Sequence, residues 1–103
     1  MDIDKYRQES LQTWESMATG WEARHLFLER NMGLLNDWII DKTAPESGQV
    51  VVDVGAGPGD LGHRMASLVG SQGRVISTDH ASEMVEVARR LGAARGRSNV
   101  EYR

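Results

Sequence analysis

Gln49-Val50-Val51-Val52-Asp53-Val54-Gly55-Ala56-Gly57-Pro58-Gly59-Asp60 decides how the rest of this chain is read. Val50 to Val54 is short, rich in β-branched residues and almost free of charge, so it reads as a strand buried on both faces. Three glycines at alternate positions follow at once, and the pattern after them is helical, with Asp60 as the cap and Leu61, Met65 and Leu68 or Val69 as the apolar row. Glycine tolerates positive φ and lets backbone approach a ligand closely. A helix start beyond it offers free N–H groups and a partial positive charge. A strand running into such a turn is therefore a candidate site for a polar or anionic group.

Downstream the alternation repeats. Gly70, Ser71 and Gly73 make a turn, Arg74 to Thr78 supplies a second strand, and Ala81 or Ser82 opens a helix through Met84, Val87, Ala88 and Leu91. Gly92 to Ser98 is a small-residue, basic connector, and Asn99 to Arg103 begins a third strand. This order predicts an α/β fold, a partial Rossmann-like unit with a parallel sheet of two to three strands. The second strand closes on Asp79, twenty residues beyond Gly59, where a carboxylate can accept hydrogen bonds from a ribose diol. Turn and acid together indicate a cofactor containing adenosine.

The spacing narrows the cofactor. A dinucleotide turn requires Gly-x-Gly-x-x-Gly, and the sixth position counted from Gly55 is Asp60, whose charge would repel a pyrophosphate. A nicotinamide dehydrogenase half-domain is accordingly the least favoured reading. No Gly-Lys-Ser/Thr follows the turn, which removes a Walker loop.

Upstream of Pro45 the period changes. Leu11, Trp14, Met17 and Ala18 share one helical face between Asp4 and Thr19, and after Gly20 a longer helix to Thr43 places Leu28, Met32, Leu35 and Ile39 in a row. The chain divides into a helical leader or lid over 1–47 and an alternating, cofactor-binding half-domain over 48–103. Trp14, Trp21, Phe27 and Trp38 read as hairpin packing rather than as a ligand cage. His63 reads as an exposed helix residue, and Arg24 as a candidate contact for a cofactor carboxylate.

At this point the sequence resembles the class I S-adenosylmethionine-dependent methyltransferases. Their first motif, acidic-x-Gly-x-Gly-x-Gly, is matched by Asp53, Gly55, Gly57 and Gly59, and their second by Asp79-His80-Ala81-Ser82-Glu83-Met84. Asn99-Val100-Glu101-Tyr102 is similar to their entry into strand three, and Trp14-Glu15-Ser16-Met17-Ala18 with Trp21-Glu22 resembles the aromatic leader of the small-molecule branch that includes quinone and sterol methyltransferases. The resemblance implies S-adenosylmethionine as cofactor and a small-molecule methyl acceptor. Gly55, Ala56 and Gly57 would approach the methionine part, Asp53 would order the turn, and Asp79 would hold the ribose hydroxyls. His80 and Met84 would lie against adenine, although the family more often has an aliphatic residue where His80 stands. No catalytic base is expected among these residues.

Composition bounds the remainder. The 103 residues carry 15 acidic and 12 basic side chains, a formal charge of -3, and no Lys/Arg block, so nucleic acid is not an expected partner. No apolar run is long enough to span a membrane, and the absence of Cys excludes disulfides and fits a cytoplasmic setting. The resemblance places the first strand centrally in a seven-strand sheet, so its second edge lacks a neighbour here. A homo-oligomer or a complementing chain is expected at that edge, with independent catalysis not expected. A non-catalytic α/β assembly module is the alternative from a different class.

Overall fold

The computed structural model describes residues 1–103. Two helices, α1 (Ile3–Ala23) and α2 (His25–Thr43), precede β1 (Val50–Val54), α3 (Asp60–Val69), β2 (Arg74–Thr78), α4 (Ser82–Ala94) and β3 (Val100–Tyr102). The three strands form one parallel sheet in the order β1-β2-β3, with Val52 opposite Ile76 and Ile76 opposite Glu101. No helix is long and apolar enough to cross a membrane.

The core forms where the amphipathic rows meet. Met65, Ala66 and Val69 of α3 pack with Val75 of β2, and Ile39, Ile40 and Val51 close over them. Ala81, Met84, Val87 and Leu91 of α4 pack with Ala18 of α1, flanked by Trp21. Burying each of the larger of these side chains is worth about 1.5–3 kcal/mol.

Several local expectations are corrected. Gly20 does not end the first helix. The chain stays helical to Ala23 and turns at Arg24, whose N–H bonds back to the Gly20 and Glu22 carbonyls. Asp60 is the first residue of α3, and the cap position belongs to Gly59 at φ 88°, a left-handed conformation in which Asp would be strained. The last helix runs past Gly92 to Ala94, into the stretch read as connector.

The strand β1 is not buried on both faces. Val50, Val52 and Val54 are exposed, Val54 at 83 %, while Val51 and Asp53 point towards α3 and are half-buried. The helices α3 and α2 cover one face only, and β1 is hydrogen-bonded to β2 alone.

Candidate cofactor and acceptor cleft

The carboxyl ends of β1 and β2 are tied together by backbone and side-chain bonds. Thr78 donates its hydroxyl to the Asp53 carbonyl at 2.8 Å, and Ala56 N–H donates to the Thr78 carbonyl at 2.8 Å. Gly57 N–H then donates to Asp79 Oδ2 at 2.9 Å, and Ala81 N–H to Asp79 Oδ1 at 2.9 Å. Asp79 thus braces the glycine turn on one side and the start of α4 on the other. Each of its oxygens retains capacity to accept a further hydrogen bond.

Gly55, Gly57 and Gly59 all adopt positive φ, at 72°, 56° and 88°. A Cβ at Gly55 or Gly57 would meet nothing within 4 Å, so these two turn open space towards the cleft. Gly59 differs. A Cβ there would stand 3.0 Å from His63 Cε1 and 3.2 Å from the Ala88 methyl, so this glycine is required by internal packing.

A cleft of about 450 Å³ opens above this turn, between it and the leader helices. Asp53, Gly55, Ala56, Gly57, Asp79, His80 and Met84 all line it; of the residues of the two motifs assigned to the cofactor, Gly59 does not. The opposite wall is apolar: Trp14 and Trp21 from α1, and Leu28, Met32, Leu35 and Ile39 from α2. The two indole rings meet edge to face with centroids 5.9 Å apart. Phe27 and Trp38 are more than half exposed and line no part of this cleft, so they are neither hairpin core nor cage. Arg24 also lies outside it, lining a separate hollow with Met17 and Phe27.

Electrostatics differ across the cleft. Burial raises the Asp53 pKa above the ordinary carboxylate value, and the neighbouring Asp79 charge adds to the rise. His80 keeps Nδ1 3.5 Å from Asp79 Oδ1 with its ring half exposed. Asp60 Oδ1 is sealed from solvent without a well-directed hydrogen bond, and the ion pair with Arg95 Nη2 at 2.8 Å compensates it. That pairing weakens the electrostatic objection to a phosphate drawn from Asp60. The spacing of the glycines carries the distinction from a dinucleotide turn.

A buried polar group that sequence reading placed on the surface lies behind the turn. His63 is 1 % exposed. Arg95 Nη1 donates to its Nδ1 at 2.7 Å, which leaves Nε2–H to donate to the Tyr102 hydroxyl oxygen at 2.9 Å. Gly92 makes room: a Cβ there would collide with that hydroxyl. No group of three or more acidic and histidine side chains converges to form a metal site.

A parallel α/β sheet with a glycine turn after β1 and an acid after β2 is the architecture of Rossmann-like cofactor-binding proteins. Residues 45–103, more than half of the chain, match the methyltransferase domain family, and the chain belongs to that family. A ubiquinone/menaquinone biosynthesis C-methyltransferase of Francisella philomiragia is 39% identical over 64 residues, covering 61% of this chain and 26% of that protein. An aklanonic acid methyltransferase of a Streptomyces species is 29% identical over 100 residues, 97% of this chain and 44% of that protein. A solved SAM-dependent methyltransferase from Aquifex aeolicus superposes with TM-score 0.61 at 29% identity, covering 66% of this chain and 36% of that one. The chain therefore spans between about a quarter and under half the length of these relatives. S-adenosylmethionine is the cofactor of this class, and an open glycine turn beside a carboxylate that keeps free acceptor capacity fits its polar ends.

Proposed function

We propose that residues 48–103 form the S-adenosylmethionine-binding part of an enzyme that methylates a small-molecule acceptor, and that the leader, 1–47, supplies the acceptor side of the cleft. The observation that carries this reading is the single cleft shared by Gly55, Ala56, Gly57, Asp79 and an opposed apolar wall from α1 and α2. Asp79 receives the ribose hydroxyls, the turn receives the methionine end, and Met84 with His80 borders adenine. The cofactor brings an electrophilic methyl group on a sulfonium. The chain's own contribution is to bind and orient, holding the acceptor in line and excluding water. The relatives named as quinone and aklanonic acid methyltransferases support a small, ring-bearing acceptor.

The exposed edge of β1 takes a further strand, from a second copy or from a complementing chain. β1 bonds to β2 alone, so the backbone groups of its other edge are unpaired, and the exposed Val50, Val52 and Val54 leave one face of the same strand apolar, a combination that sheet proteins otherwise cover or charge. A non-catalytic assembly module would use the same edge but would not need the cleft. Calorimetric titration with S-adenosylhomocysteine, with NAD as control and sedimentation on the same sample, separates the two. Saturable binding of S-adenosylhomocysteine alone is expected, and a folded sample that binds neither would favour the assembly role.

A further inference from the structure

Asn36 occupies a position where the sequence pattern calls for an apolar residue. It shares the cleft-facing stripe of α2 with Leu28, Met32, Leu35 and Ile39, at helical spacings of three and four. It is the most buried residue of that helix, 6 % exposed, and it lines the cleft. Its amide takes no part in the hydrogen bonds of the protein. Asn31, one turn earlier, bonds back to the Phe27 carbonyl at 2.7 Å; Asn36 does not satisfy itself in that way. The side-chain atoms sealed from solvent without a partner are Asp60 Oδ1 and Arg97 Nε, so the Asn36 amide keeps solvent access beside the cleft it lines.

An amide with two donors and an acceptor oxygen, unused by the protein and open to the cleft, is free to bond what enters it; a ligand that covered it without a polar partner would strip its water and leave it unpaired. The groups around it define that partner. The Asn36 wall is otherwise hydrocarbon and indole, and the cleft is lined by three carboxylates, Asp53, Asp60 and Asp79, with no Lys or Arg. Asp60 is paired with Arg95, so an anionic ligand would face Asp53 and Asp79 with no Lys or Arg in the lining to receive it.

We infer that Asn36 is a specificity-determining residue of the acceptor site, its amide hydrogen-bonding a hydroxyl or carbonyl oxygen on an uncharged, otherwise apolar ring system bedded on Trp14, Trp21, Met32 and Leu35. This rests on the reading of the glycine-turn wall as the cofactor side. The amide fixes which edge of the ring faces the turn, and a hydrocarbon of the same shape would leave it unpaired.

Equilibrium dialysis of the chain against 1-naphthol, 1,4-naphthoquinone, naphthalene and 1-naphthoate, beside calorimetry with S-adenosylhomocysteine, tests the inference. The absence of Cys keeps the quinone from reacting with a thiol. Wild-type protein should hold 1-naphthol and the quinone about tenfold more tightly than naphthalene, the factor one buried hydrogen bond carries, and 1-naphthoate no better than naphthalene. Asn36→Leu should abolish that preference while leaving S-adenosylhomocysteine affinity unchanged. Asn36→Asp, which keeps the shape and an acceptor but loses the donors, should retain 1-naphthol and lose the quinone. Equal binding of naphthol and naphthalene by wild type, or no binding of any ring compound, overturns the inference. So does a fall in S-adenosylhomocysteine affinity with the oxygen preference intact. Failure of S-adenosylhomocysteine to bind while wild type still prefers the oxygenated rings would sink the cofactor reading and leave the Asn36 contact standing.

Discussion

Asp79 Oδ2 accepts the Gly57 N–H at 2.9 Å across 22 positions of sequence, joining the acid that ends β2 to the middle of the glycine turn. Its other oxygen holds the Ala81 N–H at the start of α4. The carboxylate is thus both a candidate ligand contact and the brace that shapes the turn around that ligand.

Asp79→Ala should therefore act twice. Two backbone N–H groups lose their acceptor, costing about 1–3 kcal/mol of stability, and cofactor affinity falls by more than the loss of one ligand contact. Asp79→Asn keeps one acceptor oxygen and should fall between. Thermal unfolding and calorimetry with S-adenosylhomocysteine read the two effects separately; unchanged affinity in a folded Asp79→Ala protein would remove Asp79 from the site.

Gly57 and Gly59 look equivalent in sequence and differ in space. Alanine at 57 takes on only left-handed strain, about 1–2 kcal/mol, with its methyl in the open cleft, so S-adenosylhomocysteine affinity should drop in a protein that still folds. Alanine at 59 adds the contacts with His63 and Ala88, tighter than those side chains accommodate without shifting. Its loss of stability should be the larger, about 2–4 kcal/mol. Denaturant midpoints of the two variants give the order; a more stable Gly59→Ala protein would contradict the packing described.

The alternating half of the chain was legible because each signal there is local: β-branched residues before a glycine turn, a capped amphipathic helix, an acid one strand on. What escaped depends on distant neighbours. Val50 to Val54 has the composition of a fully buried strand, and composition does not record which neighbours are present to bury it. His63 looked like a surface residue because its partners, Arg95 and Tyr102, lie 32 and 39 positions away. Asn36 carries no motif, and only its place on an apolar stripe, with four hydrophobic neighbours at helical spacing, could have drawn notice.

Glu15 gives a test of how the leader is held. Ala81 offers no side-chain cap to α4; Glu15 of α1 instead accepts the Ser82 hydroxyl at 2.9 Å and the Ser82 and Glu83 N–H groups, the latter at 3.1 Å. In a second clamp Arg90 donates Nε and Nη2 to the two carboxylate oxygens of Glu22 at 2.8 and 2.9 Å. Glu15→Ala should speed hydrogen exchange at the Ser82 and Glu83 amides and along α1, while the sheet amides of β2 keep their protection. Unaltered exchange at Ser82 would show that the cap contributes nothing in solution.

His63 supplies the pH dependence. Burial above all, and then the Arg95 guanidinium, lower its pKa from 6.5 to about 4, against a weaker opposing pull from Asp60. The unfolded chain therefore binds this proton at higher pH than the folded one does. Stability from this group is complete above about pH 6.5 and is lost as the pH falls to 4 and below, to a total of about 3 kcal/mol. Asp53 works in the opposite direction, because its raised pKa lets the folded state take up a proton more readily than the unfolded one. Glu15 and Glu22, with lowered pKa values, lose their share as they protonate. Comparing His63→Gln with wild type isolates the histidine: the variant should be less stable at pH 7, because its amide reproduces the ring's contacts only in part, and the gap should narrow steadily between pH 6.5 and 4. A gap that stays constant across that interval would show that His63 is accessible to protons in the folded state and that the buried triad with Arg95 and Tyr102 does not persist in solution.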